Sequence, residues 1–323
     1  MTPTRRSDLR AAIEQQLPHA LRATDFKGLG QRYQGKVRDT YAQDDQLVLI
    51  TTDRISAFDH VLRQTIPFKG QVLNQTAAYF LEHTKDVAPN HVIDVPDPNV
   101  TIAKRCKALP IEFVVRGYLA GHAWRTYNNG VRYLCGEVLA DGLRQGDALP
   151  APILTPATKA VEGHDENISK AEIVARGLLD GDTVDQCAAV ALALFERGTV
   201  MAAERGLLLV DTKYEFGKTE DGTLLVIDEI HTPDSSRYYY ADGYEERQAL
   251  GQPQQQLSKE FVREWLMAHG FQGKEGQTLP DLTDAFRVEI ALRYIELYET
   301  VTGRMFDATI ATDLTQRIKS NLQ

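Results

Sequence analysis

Hydrophobic and polar positions alternate along two stretches of the chain, and both read as β-hairpins. In the first, residues 31–42 and 46–52 set Tyr33, Val37, Tyr41, Leu47, Val48, Leu49 and Ile50 on either side of a polar turn at Asp44-Asp45. Gly35 and Lys36 fall inside its first arm. In the second, residues 207–217 and 223–231 flank Asp221-Gly222, a dipeptide that favours a two-residue turn because both positions tolerate positive φ. Shorter β-like runs at 91–95, 99–105 and 111–116 predict the remaining strands of an antiparallel sheet.

Helical spacing accounts for much of the rest. Short helices are predicted over 8–17 and around 71–83, and Ser169 with Glu172 has the spacing of a capping box. A longer helix over 183–205 places Val184, Ala188, Ala191 and Phe195 on one side and ends at Gly206. Ser258 is placed to cap a helix carrying Phe261 and Trp265, and Phe286, Ile290, Tyr294 and Tyr298 recur at i, i+4, the stripe of a helix packed on a core. From Gly136 to Val161 the chain is rich in proline and glycine, which predicts a long connecting or functional loop. Strands and helices are segregated rather than alternating, so the fold class is α+β.

Composition narrows the function. A length of 323 residues suits two ordinary domains, and 43% hydrophobic with 25% charged residues fits a globular protein. The net charge of −9 argues against a nucleic-acid partner, because phosphate backbones are held by surplus Lys and Arg. Cys106, Cys135 and Cys187 are far apart and in no ligand spacing, so they read as buried or incidental thiols in a reducing compartment. Met1 to Arg10 lacks the apolar segment of a secretory signal, and no apolar run is long enough for a membrane span, so the expected location is the cytoplasm.

The second hairpin carries the sharpest chemical inference. A two-residue loop at Asp221-Gly222 pairs Glu220 with Thr223, and counting outward sets Glu215 directly opposite Asp228, with side chains about 5 Å apart on one face. Two facing carboxylates repel unless a cation lies between them, and hard oxygen donors of this kind suit Mg²⁺ held against phosphates. Asp211 and Lys213 share that face. A solvated sheet face is the plain alternative, and a bulge would undo the register. In the first hairpin, Gly35, Lys36 and Arg38 offer a close backbone approach and two cations for phosphate oxygens. The loops Thr51 to Asp59 and Thr232 to Arg237, each rich in hydroxyls with an arginine and carboxylates, open either on a ligand or on ordinary turns. Arg116 ends an apolar strand at Gly117, and Lys159, His164, Asp165, Glu166 and Asn167 precede the capped helix, whose N-terminus suits an anion.

Leu109 to Arg116, running on to Ala120-Gly121, and Leu209 to Gly217 resemble the two signature segments of the SAICAR synthetase family, and GKVRD, TDRISAFD, HDENIS and DEIHTPDSSR resemble that family in the same order. The similarity runs from about residue 28 to about residue 302. It implies a purine-biosynthetic, ATP-dependent ligase using Mg²⁺ to join L-aspartate to carboxyaminoimidazole ribotide. The implied fold is a kinase-like N-terminal antiparallel lobe, residues 1–110, packed on a larger ATP-grasp-like α+β domain with C-terminal helices, residues 111–323, with ATP between them. By the family pattern Glu215 and Asp228 hold Mg²⁺ and the nucleotide. Gly35, Lys36 and Arg38 attend its phosphates, and Cys106 to Leu109 meets the adenine. Arg54, Ser56, Arg116, His122, Asp234, Ser236 and Arg237 attend the ribotide, and Lys213, Lys159 and Asp165 lie by the transferring phosphoryl group. The chain departs from the family at His122, where the first signature has serine; an imidazole can donate one hydrogen bond there. The expected state is a monomer or small homo-oligomer without nucleic-acid or membrane partners. A small-molecule kinase would share these residue types but yield a phosphorylated product without an amine, and a non-catalytic nucleotide sensor would form no ADP.

Overall fold

The computed structural model describes residues 1–159 and 166–323. They form two compact units, one of Met1–Tyr79, Val92–Arg105 and Ser258–Gln323, the other of Phe80–His91 and Cys106–Leu257. The C-terminal helices, expected with the larger domain, fall in the first unit.

The first unit holds a five-stranded antiparallel sheet in the order Gln31–Gln34, Arg38–Ala42, Gln46–Thr51, Val100–Lys104, Val92–Asp97. The Asp44-Asp45 turn forms as expected, with Ala42 opposite Leu47 and the Gln43 N–H donating to the Gln46 carbonyl at 2.9 Å. The arm before it is not one strand. It folds back at Gly35–Val37, with Gln34 opposite Asp39, because the polar run Gln34-Gly35-Lys36 offers no alternation to sustain a strand. Gly35 and Lys36 therefore occupy a tight turn.

Tyr41, Val48, Ile50 and Val100 bury one side of this sheet against Leu314 and Ile318 of the helix Leu314–Asn321. Arg317 secures that helix through a 2.9 Å ion pair with the fully buried carboxylate of Asp97. The last residues of the chain thus close the first sheet. A second core joins Leu9 and Ile13 of the helix Pro3–Gln16 to Val72 and Leu73 and to the helix Asp284–Thr302. The predicted stripe is there, since Ile290, Tyr294 and Tyr298 are buried and Phe286 stacks on Trp265 at 4.7 Å.

The second unit is built on a seven-stranded sheet with Lys107–Tyr118 and Leu207–Lys218 at its centre. The run expected at 111–116 belongs here rather than to the first sheet. The stretch expected to be a loop contributes the edge strand Ala148–Leu154 and the short Ala157–Thr158, both paired with Lys107–Tyr118. Pro150 and Pro152 are tolerated because they lie where that edge ladder is interrupted, between Ala148 and Ile153.

The helix Gly181–Ala203 covers one face of this sheet with Val184, Ala188, Ala191 and Phe195, all buried. Gly117 permits the close approach, for a Cβ there would sit 3.1 Å from the Phe195 ring. Asp180 caps the helix by accepting from the Thr183 N–H at 2.8 Å, and the Ser169–Glu172 capping box is present on the helix before it. Alternation then sorts the central strands: Ile111, Phe113 and Val115, with Val210, Tyr214 and Phe216, are buried. Glu112 and Arg116, with Asp211, Lys213 and Glu215, occupy the intervening positions.

Candidate functional site

The second hairpin does not have the two-residue loop that its sequence suggests. The Gly222 N–H donates to the Thr219 carbonyl, the Thr219 N–H to the Thr223 carbonyl, both at 3.0 Å, and Gly222 has φ +85°. The loop is Glu220-Asp221-Gly222, with glycine supplying the left-handed residue of a bulged turn. Pairing slips by one, so Glu215 faces Ile227 and not Asp228.

Asp228 nevertheless reaches the same place. It lies just past the strand Leu224–Ile227 with φ +64°, which ends the alternation of side chains, and its carboxylate is 3.8 Å from the Lys213 Nζ. Lys213 also donates to Glu215, and to Glu112 at 2.9 Å. Glu112 stands directly opposite Glu215 on the neighbouring strand, and Lys159 donates to Glu215 from its other side. Burial alone would lower the Lys213 pKa, but Glu215, Glu112 and Asp228 outweigh it and hold the ammonium well above the ordinary lysine value. Burial likewise opposes ionisation of Glu215, and Lys213 and Lys159 override it, keeping this carboxyl well below the usual range.

Farther along the same strand lies a second charged row. Asp211 pairs with Arg116 on one neighbour and with Arg237 on the other. Its Oδ2 accepts from Arg116 Nη1 at 2.9 Å and from Arg237 Nη1 at 2.7 Å, while Arg116 Nε donates to Thr155 Oγ1 at 2.9 Å. Two guanidiniums thus meet on this carboxylate. Around Lys213 gather the carboxylates of Glu112, Glu215 and Asp228, with the Lys159 ammonium on Glu215. Residues 211 and 215 are about 13 Å apart at strand rise, so the arginine row and the Lys213 cluster lie on one sheet face at that separation.

His122 opens the helix Gly121–Asn128 beside the arginines. Gly121, at φ +54°, lets the Arg237 guanidinium lie on the helix start, since a Cβ there would be 2.6 Å from Nη1. The His122 Nε2 is 2.8 Å from Asn167 Nδ2, and burial, then Arg116 and Arg125, lower its pKa. Ser236 is buried with its Oγ 2.7 Å from Thr212 Oγ1, and Asp234 sits in the turn closed by Thr232 and Ser235. Leu109 is buried at the start of the central strand, and Cys106 packs where a Cβ on Gly217 would approach to 2.8 Å. His164 and Asp165 lie outside the described residues.

In the first unit, Lys36 Nζ pairs with Asp59 Oδ1 at 2.5 Å, and Arg38 begins the strand Arg38–Ala42. Ser56 pairs with Val61 in a short hairpin. Arg54, expected to meet substrate, is buried, with its guanidinium donating to the carbonyls of Arg22, Gly35 and Lys36 and to the Asp39 carboxylate.

Glu112 is the charged residue that the sequence reading passed over. Its signal was the single acidic position in the apolar run Ile111 to Val115, but its place opposite Glu215 depends on strand order. Among the described residues no group of three or more His, Cys, Asp or Glu side chains forms a metal cage. Glu215 and Asp228 instead fit the manner in which Mg²⁺ is held, by one or two carboxylates with the remaining positions left to phosphate and water. No helix among the described residues is long and apolar enough to cross a membrane.

The fold is α+β, and one face of its seven-stranded sheet carries clustered lysine, arginine and carboxylate side chains. The family model for SAICAR synthetase matches residues 31–278. The phosphoribosylaminoimidazole-succinocarboxamide synthase of Bacteroides thetaiotaomicron is 55% identical over 307 residues, 94% of this chain and 98% of that protein. Among solved structures, the SAICAR synthase from Saccharomyces cerevisiae complexed with SAICAR superposes with a TM-score of 0.75 at 31% identity, covering 89% of this chain and 100% of that one. A SAICAR synthetase (Type-2) in complex with ADP gives 0.65 at 25% identity over 86% of this chain and 100% of that one. The chain belongs to the SAICAR synthetase family, ATP-dependent ligases of purine biosynthesis.

Proposed function

We propose that this chain joins L-aspartate to carboxyaminoimidazole ribotide in the cytoplasm, with ATP and Mg²⁺, through an acyl phosphate. A carboxylate oxygen of the ribotide attacks the γ-phosphorus, the bond to ADP breaks, and the carboxyl becomes a mixed anhydride. The amine of aspartate then adds to the activated carbon, phosphate leaves with the C–O electrons, and the nitrogen loses a proton to give the amide. Activation divides one difficult displacement into two easier ones.

Phosphoryl transfer asks the protein for positioning and charge neutralisation rather than for a nucleophile. The observation that carries the reading is the charged face, where Lys213 joins Glu215, Glu112 and Asp228 at one end and Arg116 and Arg237 share Asp211 at the other. In this reading Glu215 and Asp228 hold Mg²⁺, which supplies neutralisation of the triphosphate. Lys213 and Lys159 carry positive charge to the transferring phosphoryl group, as Asp165 would help to order it by the family pattern. Arg116, Arg237, Ser236, Asp234 and His122 take the phosphate and carboxylate of the ribotide. Cys106 to Leu109 lies along the adenine, and Gly35, Lys36 and Arg38 take phosphate oxygens.

Turnover of candidate carboxylates with ATP, with and without aspartate, tests this. The expected product has the mass of the succinocarboxamide and appears only with aspartate, while hydroxylamine in place of aspartate traps a hydroxamate. A stable phosphorylated product that forms without any amine would instead make the chain a kinase.

A further inference from the structure

Every carbonyl of the Gly35–Val37 turn is held by the segment Thr52–Arg54. Arg54, 4% exposed, donates from Nη2 to the Gly35 carbonyl at 3.0 Å and from Nε to the Lys36 carbonyl at 3.2 Å. Thr52 donates to the Val37 carbonyl through its N–H at 2.9 Å and its Oγ1 at 2.8 Å. The guanidinium is itself held by Asp39 Oδ1 at 2.9 Å and the Arg22 carbonyl at 2.6 Å.

Peptide planarity turns this into a statement about the donors. In a trans peptide the N–H points opposite to the C=O of the same unit, and the described residues include no cis bond. Drawing the carbonyls of Gly35 and Lys36 toward Arg54 therefore turns the amides of Lys36 and Val37 to the other side. Neither amide donates to another described residue. Two successive N–H groups on one side of a turn make a concavity for an anion oxygen.

We propose that Arg54, with Thr52, is a positioning residue that aims the Lys36 and Val37 amides at a phosphate group of the nucleotide without touching substrate itself. This rests on the reading of residues 35–38 as a phosphate-binding segment. The guanidinium suits the task because its planar fork serves several acceptors at once, which the point charge of lysine does not.

ADP binding by calorimetry and amide ¹H–¹⁵N shifts of the full-length protein test it with R54K, T52V and K36M. In the unaltered chain ADP should shift the Lys36 and Val37 amides. R54K should weaken ADP roughly tenfold and T52V roughly threefold, the size of one misaimed hydrogen bond. Both should shrink those amide shifts, with the KM for the ribotide at saturating ATP unchanged. A raised ribotide KM with ADP affinity intact in R54K would make Arg54 a direct substrate contact and overturn the proposal. If R54K does not fold, T52V decides alone, and undiminished ADP affinity and amide shifts in it overturn the proposal. K36M separates the underlying reading: intact ADP affinity there, with unmoved amides in the unaltered chain, removes the phosphate-binding segment itself, whereas weakened binding in K36M but not in R54K or T52V removes only the role of Arg54.

Discussion

Glu215 and Asp228 converge on the ammonium of Lys213 although they are not cross-strand partners: Glu215 faces Ile227, and Asp228 follows it at φ +64°. The convergence comes from a left-handed residue at a strand end, not from strand register. A regular extended residue at 228 would carry its carboxylate to the opposite face of the ribbon. Backbone conformation at one position thus decides whether the two acids can share a cation.

Asp228→Asn should therefore reduce turnover by two or more orders of magnitude, a typical loss when charge stabilisation of a transition state is removed. The side chain is partly solvated, at 25% exposure, so the melting temperature should change little. Steady-state kinetics at varied Mg²⁺, beside a thermal melt, check both halves. Near-normal turnover would remove the metal role from this residue.

Gly222→Ala should cost about 1 kcal/mol of stability through conformation alone. The glycine has φ +85°, and an added Cβ meets nothing within 4 Å, so there is no steric term to confuse the measurement. Urea unfolding resolves a change of that size. A neutral result would mean that the loop does not need its left-handed residue.

The loop length was illegible for a physical reason. Asp-Gly satisfies a two-residue turn with two left-handed positions, and equally a three-residue turn with glycine as the single left-handed one, so the dipeptide cannot set the register by itself. Locally determined features were readable, among them the Asp44-Asp45 turn, the Ser169–Glu172 box and the Ile290–Tyr298 stripe. Features that depend on strand order or distant packing were not. Glu112 meets Glu215 only because their strands are neighbours, Arg54 donates to the carbonyls of the Gly35–Val37 turn, and Leu314 and Ile318 close the first sheet from the far end of the chain.

Asp211→Asn should destabilise more than any change at the exposed loops. It would leave Arg116 facing a neutral amide in a site where Asp211 and Arg116 are each 8% exposed. Breaking a buried pair from one side costs roughly 3–5 kcal/mol because a desolvated charge is left uncompensated. The isosteric Asn retains an acceptor oxygen, so the lower end of that range is expected. A denaturation midpoint equal to that of the unaltered protein would show that solvent already screens the row.

Asp53 gives the stability a pH dependence of unusual sign for a carboxylate. Its oxygens accept from the Leu21 N–H at 2.7 Å and the Gly70 N–H at 2.8 Å, which favours the ionised form, as does Lys69. Burial outweighs them and pushes its pKa up from 3.8 to about 6. Between those values the folded chain holds a proton that the unfolded chain releases. The contribution of Asp53 is therefore fully present below pH 3.8 and is lost as the pH rises through about 6. At roughly 1.4 kcal/mol per pH unit the whole effect is on the order of 3 kcal/mol. Glu215 acts in the opposite sense, since its depressed pKa adds stability above the ordinary value of 4.5 that is lost on acidification. Unfolding free energies measured from pH 4 to 7 should therefore rise more steeply with pH in Asp53→Asn than in the unaltered chain, because the opposing term has been removed. Parallel curves would mean that the Asp53 carboxyl is ionised across the range, and that its two backbone donors and Lys69 prevail over burial.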